Sequence, residues 1–247
     1  MILAVCGKGG VGKTTIAAVA AGALSGREGT KALVVDADPA GGLAMALGIE
    51  PRKTLNDVRK ELIAEVEAGR RDSRDLSVSL DYLLAEALTE RGNIGFLAIG
   101  RPEDEGCYCK VNVLLKDAIG GLAGEFDSAV IDAEAGIEQV NRKVMGAVDY
   151  LLLVSDTSVK GLRVAETIKG VADRMIGGHG AGLVLNRVRG GAPPEGLELQ
   201  TALDVIGWIP EDETVRRFDE ENRPLFGLPD CPALEAITSA LGRTGLI

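Results

Sequence analysis

The sequence predicts an α/β fold in which a mostly parallel central sheet carries helices on both faces. Three observations lead there. Short, nearly uninterrupted apolar runs alternate with longer helical stretches, the pattern of strands buried on both sides. A glycine-rich loop joins the first such run to the first helical stretch. The composition, 46% apolar and 26% charged with 33 glycines and only 3% aromatic residues, suits close packing of helices on a sheet better than an aromatic binding surface. At 247 residues one large α/β domain can bury a full core.

Taken in order, the first strand is ILAVC at 2–6, followed by the loop and a helix; KALVVD at 31–36 is the second strand. Residues 52–93 are rich in Arg, Lys, Asp and Glu and read as a charged helical insertion on one face, with one helix over Leu55 to Ala68. IGFLAI at 94–99 is the third strand. Val111, Leu114, Leu115, Ala118, Ile119 and Leu122 then recur at helical spacing. SAVID at 128–132 and DYLLLV at 149–154 are strands. The helix at 158–176 carries a stripe of Val164, Ile168, Val171 and Met175. AGLVLN at 181–186 and DVIGW at 204–208 close the series.

Net charge is −10, so a broad electrostatic grip on nucleic acid or anionic lipid is not expected. No apolar run approaches the roughly 20 residues of a membrane span. The apolar start is too short for a secretory signal. Four cysteines are too few for a disulfide framework in a chain this long, and the expectation is a cytoplasmic protein.

CGKGGVGKTT, residues 6–15, contains G-x-x-x-x-G-K-T from Gly7 to Thr14. Backbone N–H groups of Gly9, Gly10, Val11 and Gly12 can turn inward around phosphates, with Thr15 following on the helix. Lys13 can reach the β- and γ-phosphates, and the Thr14 hydroxyl can bind Mg²⁺. The helix that starts near Lys13 adds its N-terminal dipole. The chain is expected to bind a nucleoside triphosphate.

CYCK, residues 107–110, places Cys107 and Cys109 at a helix start. The dipole there favours thiolate and so metal affinity. A disulfide across one intervening residue would be strained, and redox sensing is an alternative use of the pair. Cys6, inside a strand, and Cys231, in a turn, read as bystanders. Two thiolates alone leave a metal under-coordinated. A two-fold axis would assemble four sulfurs, enough for tetrahedral Zn²⁺ or square-planar Ni²⁺.

Lys8, directly after the first glycine, is not required by a general phosphate loop. KGGVGKTT resembles the deviant phosphate loop of the MinD/ParA/nitrogenase-iron-protein group of ATPases. The resemblance implies a P-loop NTPase architecture of the SIMIBI/MinD-like type, ATP and ADP as ligands, and a homodimer closed by ATP. It implies that Lys8 acts in trans beside the catalytic Lys13. Within VVDADPAG, Asp38 would orient the attacking water and Asp36 would support the Mg²⁺ shell. Asp132 of AVIDAEAG would hold Mg²⁺ through water. Asn186 would read the adenine edge, with Pro210 and Glu211 flanking the base.

RPEDEGCYCKVNVLL and DSAVIDAEAGIEQVNR narrow the resemblance to the CooC family, ATPases that assist nickel insertion into carbon monoxide dehydrogenase. It implies that Cys107 and Cys109 are the metal-binding pair. Ni²⁺ or Zn²⁺ would sit at the intersubunit site, and the partner would be carbon monoxide dehydrogenase or a related nickel–iron–sulfur enzyme. Other readings are an electron-transferring iron protein of the nitrogenase type, an iron–sulfur scaffold ATPase and a MinD/ParA-type positioning ATPase.

Overall fold

A computed structural model describes residues 1–69, 73–101, 120–133, 148–175, 179–193, 195–196 and 200–247, the side chains of 73–78 and 175 excepted. Eight strands form one sheet: β1 (Ile2–Gly7), β2 (Ala32–Asp36), β3 (Thr89–Arg91), β4 (Ile94–Ala98), β5 (Ser128–Asp132), β6 (Tyr150–Ser155), β7 (Gly180–Val188) and β8 (Val205–Pro210). Their spatial order is β3-β4-β2-β5-β1-β6-β7-β8. Every pairing is parallel except β3 with β4. The seven strands expected from apolar runs are all present. β3 was not foreseen: Thr-Glu-Arg has no apolar alternation to reveal it.

Helices α1 (Lys13–Ser25), α2 (Gly42–Leu47), α3 (Leu55–Glu67), α4 (Ser73–Ala87), α5 (Val159–Met175), α6 (Glu213–Glu220) and α7 (Pro232–Thr244) cover the sheet. Side chains alternate along β1: Leu3 and Val5 enter the core under α1, α2 and α7, whereas Ala4 and Cys6 enter the core under α3, α4 and α5. In the charged 52–93 region, Leu55, Val58, Leu62, Leu80, Leu83, Leu84 and Ala87 are buried in the same cluster as Leu33 and Val35 of β2. Thr54 caps α3 through a reciprocal pair of hydrogen bonds with Asp57, and Lys53 bridges Glu61 and Glu86.

The stripe on α5 is rotated from the expected one. Leu162, Ala165, Ile168 and Ala172 are the buried positions, Val164 and Val171 being only partly covered. The small alanines let α5 approach the sheet closely, and hydrophobicity alone favoured the larger valines. The helix expected around 111–122 and the cysteine pair lie outside the described residues, apart from a short helical end at 120–123.

Strand order decides where chemistry can occur. The chain runs outward from β1 to β2 and β4 on one side, and later from β6 to β7 and β8 on the other. This arrangement opens a crevice at the carboxyl ends of the central strands.

Candidate active site

The phosphate loop leaves the carboxyl end of β1 and enters α1 at Lys13. Its first glycine is demanded by contact: a Cβ on Gly7 would lie 2.1 Å from the Val154 carbonyl oxygen of β6. Gly12 precedes the helix with φ of 92°, a left-handed conformation that favours glycine. Among the described residues no side chain caps α1 and no acidic residue lies in its first turn, so its leading N–H groups remain available to an anion. Lys13 is buried, and its Nζ donates to the Lys8 carbonyl at 3.4 Å.

Thr14 Oγ1 donates to Asp132 Oδ2 at 2.7 Å. Asp132 ends β5, directly beside β1 and β2, in register with Val5 and Asp36. Its other oxygen, Oδ1, is buried with no hydrogen-bond partner among the described residues. Burial first, then the neighbouring Asp36 and Asp38 charges, push the Asp132 carboxyl up to about 7, although the Thr14 hydrogen bond and Lys13 pull the other way. The Thr14 hydroxyl and the Asp132 carboxylate, one of whose oxygens is buried and unsatisfied, lie next to a phosphate cradle and form a donor set that fits Mg²⁺.

Asp36 is fully buried and its carboxylate is engaged by the backbone. Oδ2 accepts from Leu43 N at 3.0 Å and Ala44 N at 3.1 Å, and Oδ1 from Asp38 N at 3.2 Å. Burial nevertheless raises its pKa, opposed by those same hydrogen bonds. Asp36 therefore anchors the start of α2 and the turn holding Asp38. The far end of α2 is held as well: Arg91 of β3 donates to the Leu47 carbonyl at 2.8 Å and stacks over Phe226 at 4.7 Å. Asp38 is half-exposed, and its Oδ1 accepts from Ala40 N at 2.8 Å.

Asn186, Pro210 and Glu211 line one cleft of about 270 Å³ together with Thr15 of α1. Segments distant in sequence thus meet beside the first turn of α1. Asp212 builds this corner by capping two helices. It accepts from Thr214 N and Val215 N at the start of α6 and from Ala233 N at the start of α7. Those hydrogen bonds and the one from Cys231 hold its carboxyl below the usual range, against the upward pull of burial, which is the largest single influence.

Two participants were not read from the sequence. Asp156, after β6, has its carboxyl raised by burial but lowered more by its hydrogen bonds from Ser158, with a smaller pull from the Lys8 charge. An Asp two residues before a Ser at a strand end signals such a turn. Arg187 beside Asn186 adopts φ of 57°, which no sequence pattern announces. Cys6 is buried, and its thiol is pushed up to about 12 by burial, which suits a packing role. Cys107 and Cys109, the expected metal ligands, lie outside the described residues.

A family model described as the CobQ/CobB/MinD/ParA nucleotide binding domain matches residues 2–225. The chain is 38% identical over 241 residues to an uncharacterized ATP-binding protein of Methanocaldococcus jannaschii, covering 93% of this chain and 92% of the relative. It is 31% identical over 245 residues to the carbon monoxide dehydrogenase accessory protein CooC of Rhodospirillum rubrum, covering 94% and 92%. Among solved structures, the cell division ATPase MinD of Pyrococcus furiosus is similar with a TM-score of 0.68 and 26% identity, over 99% of this chain and 98% of that one.

Proposed function

The chain belongs to the CobQ/CobB/MinD/ParA nucleotide-binding family of ATPases, and from that premise we propose that it is a nickel-handling ATPase. In this reading it works as an ATP-gated homodimer. Two copies of Cys107 and Cys109 make a four-sulfur site on the two-fold axis, and the metal passes as Ni²⁺ to carbon monoxide dehydrogenase or a related nickel–iron–sulfur enzyme. The observation that carries the reading is the presence, in one chain, of the Lys8 phosphate loop and the Cys107/Cys109 pair. Near full-length similarity to a carbon monoxide dehydrogenase accessory protein supports it.

The chain's own residues supply the steps. The loop N–H groups and Lys13 bind and neutralise the phosphates, while Asn186, Pro210 and Glu211 flank the base. Thr14 and Asp132 would hold magnesium, which when bound neutralises phosphate charge. Asp38 orients the attacking water, and Asp36 fixes the turn from which Asp38 projects. Lys8 of each copy reaches the partner's nucleotide, so closure and hydrolysis both depend on the second subunit. Hydrolysis removes that attraction, opens the dimer and loosens the thiolate site.

The test is nickel activation of purified metal-free client enzyme, with limiting Ni²⁺, ATP and this protein. Activation by wild type and none by Lys13→Ala or by Cys107→Ala/Cys109→Ala is expected. Equal activation by wild type and the double cysteine variant would refute nickel delivery through the pair. A brown protein with iron–sulfur absorption after anaerobic purification would favour the iron–sulfur reading instead.

A further inference from the structure

Asn186 does more in this structure than face a cleft. Its Nδ2 donates to the Val11 carbonyl of the phosphate loop at 2.8 Å, joining residues 175 positions apart. Its Oδ1 accepts from Arg187 N at 2.9 Å. Together the two bonds fix the orientation of the amide, because only Nδ2 can donate to a carbonyl and only Oδ1 can accept from an N–H. Arg187 provides it from a left-handed conformation, φ 57°, which is uncommon for a residue with a side chain. The amide also rests directly on the loop. A Cβ on Gly12 would lie 2.2 Å from Nδ2, and Gly12 is the residue immediately before Lys13.

After these two bonds, the amide keeps one Nδ2 hydrogen and one Oδ1 lone pair. A donor beside an acceptor on a single amide complements the N7 and N6 edge of a 6-aminopurine. The group available to the base is thus the group that holds the loop. Asn186 is also buried, at 8% exposure, so water competes poorly for either bond.

We propose that Asn186 is a positioning residue for the phosphate loop, acting through the Val11 carbonyl, and that it links recognition of the adenine edge to the geometry of the phosphate cradle. The proposal deepens the nucleotide-site reading and rests on it. It is independent of the cysteine pair, so its failure leaves nickel handling untouched, and failure of nickel handling leaves it untouched.

A ligand with phosphates but no base separates the two roles of Asn186. Binding of Mg·tripolyphosphate and of Mg·ATP is measured by titration calorimetry for wild type and Asn186→Ala, with thermal melts confirming that both are folded at the working temperature. Loss of a loop-positioning hydrogen bond is expected to weaken tripolyphosphate binding about five- to tenfold, and ATP binding by more. Unchanged tripolyphosphate affinity with weakened ATP binding would reduce Asn186 to a base contact and overturn the proposal. Unchanged affinity for both would overturn the loop-positioning and base-reading roles together. If Asn186→Ala does not fold, Asn186→Ser, whose side chain is shorter by one bond, is read by the same criteria.

Discussion

Thr14 and Asp132, 118 residues apart, are joined by a 2.7 Å hydrogen bond from hydroxyl to carboxylate. The contact joins the first turn of α1 to the carboxyl end of β5, and it leaves Asp132 Oδ1 buried without a partner among the described residues. A carboxyl raised to about 7 by burial binds a proton more readily in the folded chain than in the unfolded one. Its contribution to stability is therefore full at acidic pH and fades as pH rises from about 4 through about 7. In metal- and nucleotide-free protein, thermal melts should show Asp132→Asn losing this dependence, so that the wild-type and variant curves differ in slope between pH 5 and 8. Parallel curves across that range would contradict the assignment.

Asp36 holds three backbone N–H groups, two of them at the start of α2. Asp36→Ala leaves those donors unpaired in the core and should cost about 2–3 kcal/mol in denaturant unfolding. ATP turnover should fall more than Mg·ADP affinity does, because the hydrogen bonds of Asp36 go to the turn carrying Asp38 and to the start of α2. Equal losses in turnover and ADP affinity would place Asp36 in binding.

Lys8 is distinguished from Lys13 by what each loses. Lys13→Ala should abolish tight nucleotide binding. Lys8→Ala should keep Mg·ATP binding, fail to dimerise with a non-hydrolysable analogue in light scattering, and lose about a hundredfold in turnover. A Lys8→Ala protein that dimerises and hydrolyses normally would remove the action in trans.

Asp212 caps α6 and α7 at once. Asp212→Ala should lower stability by about 1–2 kcal/mol. Because its folded pKa is depressed, this contribution is present above the ordinary carboxylate range and is lost as pH falls through the folded value. In denaturant melts, the gap between wild type and variant should therefore be full at pH 7 and narrow progressively as pH is lowered below the ordinary carboxylate range.

The parallel strands and the phosphate loop were legible because both are local: a buried strand is a continuous apolar run, and the loop is a contiguous motif. β3 was illegible because its three residues carry no alternation, and its place at the edge depends on pairing with β4. The α5 stripe was misread because Ala165 and Ala172 are buried for their small size, which hydrophobicity underrates. At the site, the resemblance pointed to Asp132 and Asn186 at strand ends and to the Pro210–Glu211 segment after the last expected strand. Their partners were not legible, since the links from Asn186 to Val11 and from Asp212 to Ala233 exist only once strand order brings distant loops together.

In the proposed reading, ATP assembles one metal site from two pairs of cysteines. Nickel bound per chain, measured by elemental analysis after anaerobic gel filtration with and without a non-hydrolysable ATP analogue, tests it most directly. The account predicts one Ni²⁺ per dimer in the analogue-bound state, weaker retention without nucleotide, and none in Cys107→Ala/Cys109→Ala. Nickel retained at unchanged stoichiometry by the double variant, or equally by nucleotide-free monomer, would contradict it.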